Sequence, residues 1–139
     1  MKKINTKQPK SIRILTVNIA TLSINDPYKT YQLFQFLKQN NIDIACINET
    51  NMNFANYHNT KSIKKMAHRA WRNAFISFSS IPNTVKNNNT TKPPLHQQGG
   101  VMIVLAPKIT SHKIASGRDP SGRWTWIELE NKKGKKKQQ

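Results

Sequence analysis

The sequence predicts a mixed α/β domain, and three observations carry that prediction. Two short apolar runs of β character, residues 12–17 and 42–47, flank a segment with the spacing of an amphipathic helix. Further apolar strands recur in the second half of the chain, joined there by turns rather than helices. At 139 residues the length is that of one domain, and with only 36% of residues apolar its core must be lean.

Taken in order, residues 1–10 are polar and basic and read as a flexible lead-in. Residues 12–17 form the first strand, which ends at Asn18. Asp26-Pro27 starts a helix, with Asp26 as N-cap and Pro27 in the first turn. Over residues 28–39, Leu33, Phe34, Phe36 and Leu37, with Tyr31 nearby, give a broad face for packing on a sheet. Asn40-Asn41 ends this helix and residues 42–47 are the second strand. Strand, helix and strand in so short a stretch make a βαβ unit, so the two strands run parallel through a right-handed crossover. Parallel strands align their carboxyl ends, and Asn18 and Glu49 therefore emerge on one rim.

Residues 51–69 are polar and basic and read as a loop with a short helix near 63–70. Residues 71–78 alternate as a strand. Residues 79–98, rich in Asn, Thr and Pro, read as a long loop. Gly99-Gly100 opens an apolar strand, Val101–Leu105, stopped by Pro107. Residues 109–115 are a weaker strand and Asp119-Pro120-Ser121-Gly122 is a turn. In residues 123–130, Trp124, Trp126 and Glu128 fall on one face and Thr125, Ile127 and Leu129 on the other. Turn connections make this half antiparallel or mixed, and its last strand keeps an unpaired edge. There is no internal repeat.

Twenty-three Lys and Arg against six Asp and Glu give a net charge of +17. Such a balance points to polyanions, nucleic acid first and an anionic membrane surface second. Part of it lies in Lys132-Lys133-Gly134-Lys135-Lys136-Lys137, which has the composition of a solvated tail. No apolar run approaches the ~20 residues of a membrane span, and Met1-Lys2-Lys3-Ile4-Asn5 has no apolar core of a secretory signal. The single cysteine, Cys46, reads as a small buried hydrophobe and leaves no disulfide or cysteine-type zinc site. His58, His68, His96 and His112 are scattered in polar segments, and neither a phosphate-binding glycine loop nor a His-x-x-x-His pair is present.

Against this background Glu49 stands out. A carboxylate just past a buried strand of a strongly basic chain has two readings: a metal or proton-transfer group, or simply the start of a loop or a helix cap. Ligand-binding groups gather at the carboxyl ends of strands in α/β sheets, which suits the first, and Mg2+ prefers carboxylate oxygen, but position alone leaves the two readings even. One carboxylate nevertheless makes an unfinished site. Asp26 is a helix cap, Asp43 a strand start, Asp119 a turn residue, and Glu128 and Glu130 lie on an edge strand. None has an evident route to the rim of Glu49.

The order Arg13-Ile14-Leu15-Thr16-Val17-Asn18, helix, Asp43-Ile44-Ala45-Cys46-Ile47-Asn48-Glu49-Thr50 resembles the opening of the endonuclease/exonuclease/phosphatase superfamily. Within it the chain is most similar to the apurinic-endonuclease-like domains of non-LTR (LINE-type) retrotransposons. Gly99-Gly100-Val101 with its apolar strand, and Ser121-Gly122-Arg123-Trp124, fall in the expected order. The resemblance spans residues 11–130, between the 1–10 lead-in and a basic tail, 131–139. It implies a four-layered, DNase I-like α/β sandwich with a mixed sheet that cleaves DNA phosphodiesters with Mg2+, or Mn2+ in its place. It also implies Glu49 as metal ligand and Asn18 beside the metal and scissile phosphate, both catalytic, and by analogy a nuclear substrate. Asn48 replaces the usual Gln, and Ala20-Thr21 replaces the usual Gly. The family's Gly-Asp-x-Asn and Ser-Asp-His motifs have no counterpart, so the expectation is an incomplete sandwich, an amino-terminal half inactive alone.

Two other functions compete. One is a small basic nucleic-acid-binding module without catalysis, with Lys and Arg on phosphates and Trp71, Trp124 or Trp126 stacking on bases. Against it, aromatics in strand patterns more commonly pack on a core. The other is an unstable remnant whose exposed packing face makes it poorly soluble.

Overall fold

The computed structural model describes residues 4–81 and 95–131. The first half folds as the predicted strand–helix–strand unit. β1 (Ile14–Asn18) and β2 (Ile44–Asn48) pair in parallel, with Ile14 opposite Ile44 and Asn18 opposite Asn48. Between them runs α1 (Pro27–Gln39), started by the Asp26 carboxylate, which accepts from Lys29 N at 3.4 Å, and by Pro27 in the first turn. Thr30, Leu33, Phe34 and Leu37 are its buried residues. It stops where the Asn40 side chain donates to Phe36 O at 2.9 Å and Asn41 turns to φ +52°.

α2 (Tyr57–Ala70) is longer than its apolar spacing indicates, beginning at Tyr57 rather than near Ile63. The start signal is Asn56, whose carboxamide oxygen accepts from His58 N at 2.9 Å. The first turn is polar, and its one buried residue there, Asn59, is held by donating to Asn53 O (2.9 Å) and Leu95 O (2.7 Å). Trp71 is not in a strand. It caps α2, donating its amide to Ala67 O, and β3 starts later, at Phe75–Ser79. β4 is Val101–Leu105, as its sequence indicates. Pro107 does more than stop it, opening a single helical turn, α3 (Pro107–Thr110). The next strand is consequently displaced from 109–115 to β5 (Lys113–Arg118), and the hairpin closes with β6 (Thr125–Leu129). Most of the expected loop over 79–98 lies outside the described residues.

The main sheet has the order β1-β2-β4-β3, with β4 antiparallel to both neighbours, and β5-β6 form a separate antiparallel sheet. The molecule is thus mixed α/β with a mixed four-stranded sheet and a second, two-stranded one. Period-two alternation sorts the main sheet into two faces. Ala45, Ile47, Met102 and Val104 share one core cluster with Leu33, Phe34 and Leu37 of α1 and Ile63 and Ala67 of α2. On the opposite face, Ser77 of β3 meets Thr125 of β6 (Oγ to Oγ1, 2.5 Å) and the Phe75 ring lies under the Lys113 ammonium at 3.9 Å. The result is three layers: helices, four-stranded sheet, two-stranded sheet. The second sheet covers the β3-β4 half of that face, and Ile12 and Ile14 on the β1 side stay about two-thirds exposed.

The lead-in is tied down at its described end. Ile4 N donates to Asn40 Oδ1 (2.8 Å), Arg13 Nη2 to Asn5 O (2.6 Å), and Lys7 pairs with Asp43 at 2.5 Å.

Candidate functional site

The parallel register brings Asn18 and Asn48 level, and Glu49 follows one residue on, so the predicted rim exists. Strand pairing continues past the strand ends. Ile19 N donates to Asn48 O (3.1 Å), Thr21 N to Glu49 O (2.9 Å) and Leu22 N to Thr50 O (2.7 Å). This ladder holds two chain segments side by side while each takes an unusual path. Ala20, Thr21, Glu49 and Asn51 all have positive φ, 49° to 84°, four of the seven such non-glycine residues described. A left-handed conformation costs a non-glycine residue roughly 1–3 kcal/mol, most for a β-branched one such as Thr21, and such residues gather where a site must hold a specific shape.

Two residues that the sequence reading passed over hold that shape. Asn51 bridges three segments: its Nδ2 donates to Thr21 Oγ1 (2.6 Å), its Oδ1 accepts from Gly99 N (2.9 Å), and its own amide donates to Gly99 O (2.7 Å). Lys29, in the first turn of α1, donates through Nζ to Ile19 O (3.0 Å) and Thr21 O (2.7 Å). The signals were present but weak. Asn is the residue most tolerant of a left-handed backbone after Gly, and a Lys one turn into a helix can reach back over the loop that precedes it. Gly100 completes the packing, since a Cβ there would sit 2.5 Å from Thr50 Oγ1 at a φ of +82°.

The candidate groups themselves are open. Asn18, Asn48 and Glu49 are exposed, and the Glu49 carboxylate has no hydrogen-bond or ion-pair partner among the described residues. Asn18 Oδ1 accepts from Ala20 N at 3.0 Å. That bond orients the carboxamide and leaves its NH2 as a donor suited to a phosphate oxygen.

A hard cation fits this rim only in part. Glu49 supplies one carboxylate, and Mg2+ accepts one or two with water and substrate phosphate completing the shell. Among the described residues no three His, Cys, Asp or Glu side chains come together. Asp43 is at the opposite end of β2, ion-paired with Lys7 and Lys108. Asp26 caps α1, Asp119 is bound to Arg123 (2.9 Å), and Glu128 and Glu130 belong to the second sheet. Among the described residues the rim holds one corner of a metal site without a second acid beside it, and His96 lines a cavity with Thr21 and Asn51. Burial pushes the Cys46 thiol pKa up, away from nucleophilic use.

The tryptophans divide. Trp71 packs against the core, whereas Trp124 (50% exposed), just before β6, and Trp126 (40%), within it, lie outward. Trp126 rests on Gly117, its cross-strand partner, where a Cβ would come within 2.8 Å of the indole. Their neighbours on that face are Glu128 and Glu130, which repel phosphate. His58, His68 and His96 are exposed as expected. His112 is half-buried and donates from Nδ1 to Glu130 O at 2.9 Å, closing the hairpin.

What fold and rim together define is a mixed α/β protein with an open polar edge at the carboxyl ends of its two parallel strands. No protein-family model matches the chain, and no curated protein matches it. No helix among the described residues is long and apolar enough to cross a membrane.

Proposed function

We propose that this rim is part of the active site of a Mg2+-dependent phosphodiesterase of the endonuclease/exonuclease/phosphatase kind, acting on DNA. The observation that carries the reading is Glu49: an exposed carboxylate, unpartnered among the described residues, on a left-handed backbone, one residue beyond the level of Asn18 at the carboxyl ends of parallel strands. In this reading Glu49 contributes to holding the cation and Asn18 donates to the scissile phosphate. The layer order fits as well. Helices, sheet, sheet are three layers of a DNase I-like sandwich, and the outward face of β5-β6, with Ile114, Trp124 and Trp126 exposed, is where a second helix layer would pack.

When bound, Mg2+ would polarise the phosphate and neutralise developing charge. In-line attack also needs a positioned water and a base, which contribute large factors through orientation and proton transfer. Among the described residues no group is held by a hydrogen bond in a position to orient that water at Glu49, so hydrolysis by the chain alone is not expected. Two measurements test the reading. Mn2+ should broaden the amide resonances of residues 18–21 and 48–51, and Glu49→Ala should abolish that. Broadening that survives the substitution, or centres on Glu128 and Glu130, would overturn the metal assignment. With Mg2+, supercoiled plasmid should be nicked no faster than by Glu49→Ala; Glu49-dependent nicking would instead reveal a complete site.

A further inference from the structure

The outward face of α2 is the most one-sidedly charged element of the described chain. Between Glu49 and Asp119 there is no acidic residue, while ten Lys and Arg fall in that interval. Lys61, Lys64, Lys65 and Arg69 are all exposed on α2, and Arg72 follows just beyond it. None of them pairs with a carboxylate among the described residues. The spacing is costly for a free helix, because Lys61–Lys65 and Lys65–Arg69 are like-charge pairs at i,i+4, each destabilising by a few tenths of a kcal/mol. The first turn of α2 carries no acidic residue to complement the helix dipole.

We propose that this face is a docking surface for the phosphate backbone of a nucleic acid duplex, separate from the Glu49 rim. From Lys61 to Arg69 the helical rise is about 12 Å, and a duplex presents one phosphate charge per ~1.7 Å of axis, so several phosphates fall within reach of these side chains. A membrane surface is the poorer partner. A helix lying on lipid must insert its own apolar face, and the apolar residues of α2, Ile63, Met66, Ala67 and Ala70, are already buried against the core. A single strand is poorer too, because stacking needs a row of aromatic platforms, and the exposed rings of α2 are one phenol, Tyr57, with the Lys61 ammonium 5.7 Å from its centroid, and two imidazoles, His58 and His68. The surface reads charge and spacing, not sequence. It stands whether or not the rim is a phosphodiesterase site.

The test is fluorescence anisotropy with a labelled ~20-base-pair duplex across 50–300 mM KCl in EDTA, which removes any metal-dependent contribution from Glu49. Lys61→Gln/Lys65→Gln/Arg69→Gln keeps good helix formers and should weaken binding at least tenfold at 50 mM salt. It should also flatten the salt dependence by about two to three logarithmic units, near one per lost phosphate contact. The charge-matched control, Lys10→Gln/Lys38→Gln/Arg118→Gln, should weaken binding less than threefold, and circular dichroism checks that both fold. Equal losses for the two triples would show diffuse charge without a docking face and overturn the proposal, as would unchanged binding by the α2 triple. Tighter α2-dependent binding to vesicles containing phosphatidylserine than to duplex would assign the face to membrane instead. DNA and RNA duplexes run side by side distinguish the source of the backbone.

Discussion

Asp43 is 1% exposed, with Lys7 Nζ 2.5 Å from Oδ2, Lys108 Nζ 3.2 Å from Oδ1, and the Arg13 amide donating at 2.7 Å. Burial alone would raise its pKa; the Lys7 and Arg13 hydrogen bonds and the Lys108 charge outweigh burial and hold the carboxyl below its ordinary value. A carboxylate depressed on folding contributes stability that is full above the unfolded pKa, about 3.9, and is lost as pH falls through the folded one. Asp43→Asn should therefore cost about 3 kcal/mol at pH 7, the low end for breaking a buried pair because Lys108 is largely exposed. The gap between variant and parent should narrow in urea melts below pH 4; a constant gap would show that charge is not the cause. Sequence located this residue at a strand start and no further. Its partners come from the lead-in and from α3, tens of residues away in either direction, and no local pattern encodes that meeting. Glu49 was legible because its signal is local: an apolar strand running into one acid. Asn51 and Lys29 were not, because their roles exist only once three loops are folded together.

At the scale of elements, legibility followed the strength of local pattern. α1 was read nearly to the residue because Asp26-Pro27 and a clear apolar stripe mark it, and β4 because Gly99-Gly100 and Pro107 bound it. The start of α2 was missed because its first turn is polar, and α3 because Pro107 was weighed as a terminator and not as a helix start. The hairpin β5-β6 depends on a contact that sequence does not display. Gly122, at φ +74° in the turn closed by Gly122 N donating to Asp119 O (2.9 Å), lies against the Ser80–Ile81 backbone, and a Cβ there would overlap the Ser80 carbonyl. Neither partner can yield, since both are backbone. Gly122→Ala should cost about 3 kcal/mol and undock the hairpin, because a two-stranded sheet has little stability of its own. Hydrogen exchange should then lose protection in β5 and β6 and retain it in β2 and β4. Gly99→Ala, at φ +89° with nothing within 4 Å of its Cβ, is the control for backbone strain without overlap. Equal effects of the two substitutions would remove the docking contact as the explanation.

At the scale of the whole molecule, two apolar faces lie open among the described residues of a chain of net charge +17. One is the β1 side of the main sheet, with Ile12 65% and Ile14 63% exposed; the other is the outward face of the second sheet, with Trp126 on β6 and Trp124 just before it. The sequence implied an unpaired last strand but not the half-covered sheet, because strand order and sheet-on-sheet overlap are non-local. Exposed apolar patches drive association, and like charge opposes it. The balance between them must therefore depend on salt, since the Debye length falls from about 30 Å at 0.01 M to about 3 Å at 1 M. Light scattering of the full chain should show monomers at low ionic strength and reversible association as KCl rises toward 0.5 M. Ile12→Thr/Ile14→Thr should reduce that association and leave the melting temperature within about 3 °C, as substitutions at exposed positions cost little. If the variant associates as readily as the parent, the β1 face is not the contact and the Trp124–Trp126 face is tested next by the same measurement. A chain that stays monomeric at every salt concentration would show that electrostatic repulsion is not what keeps these faces apart.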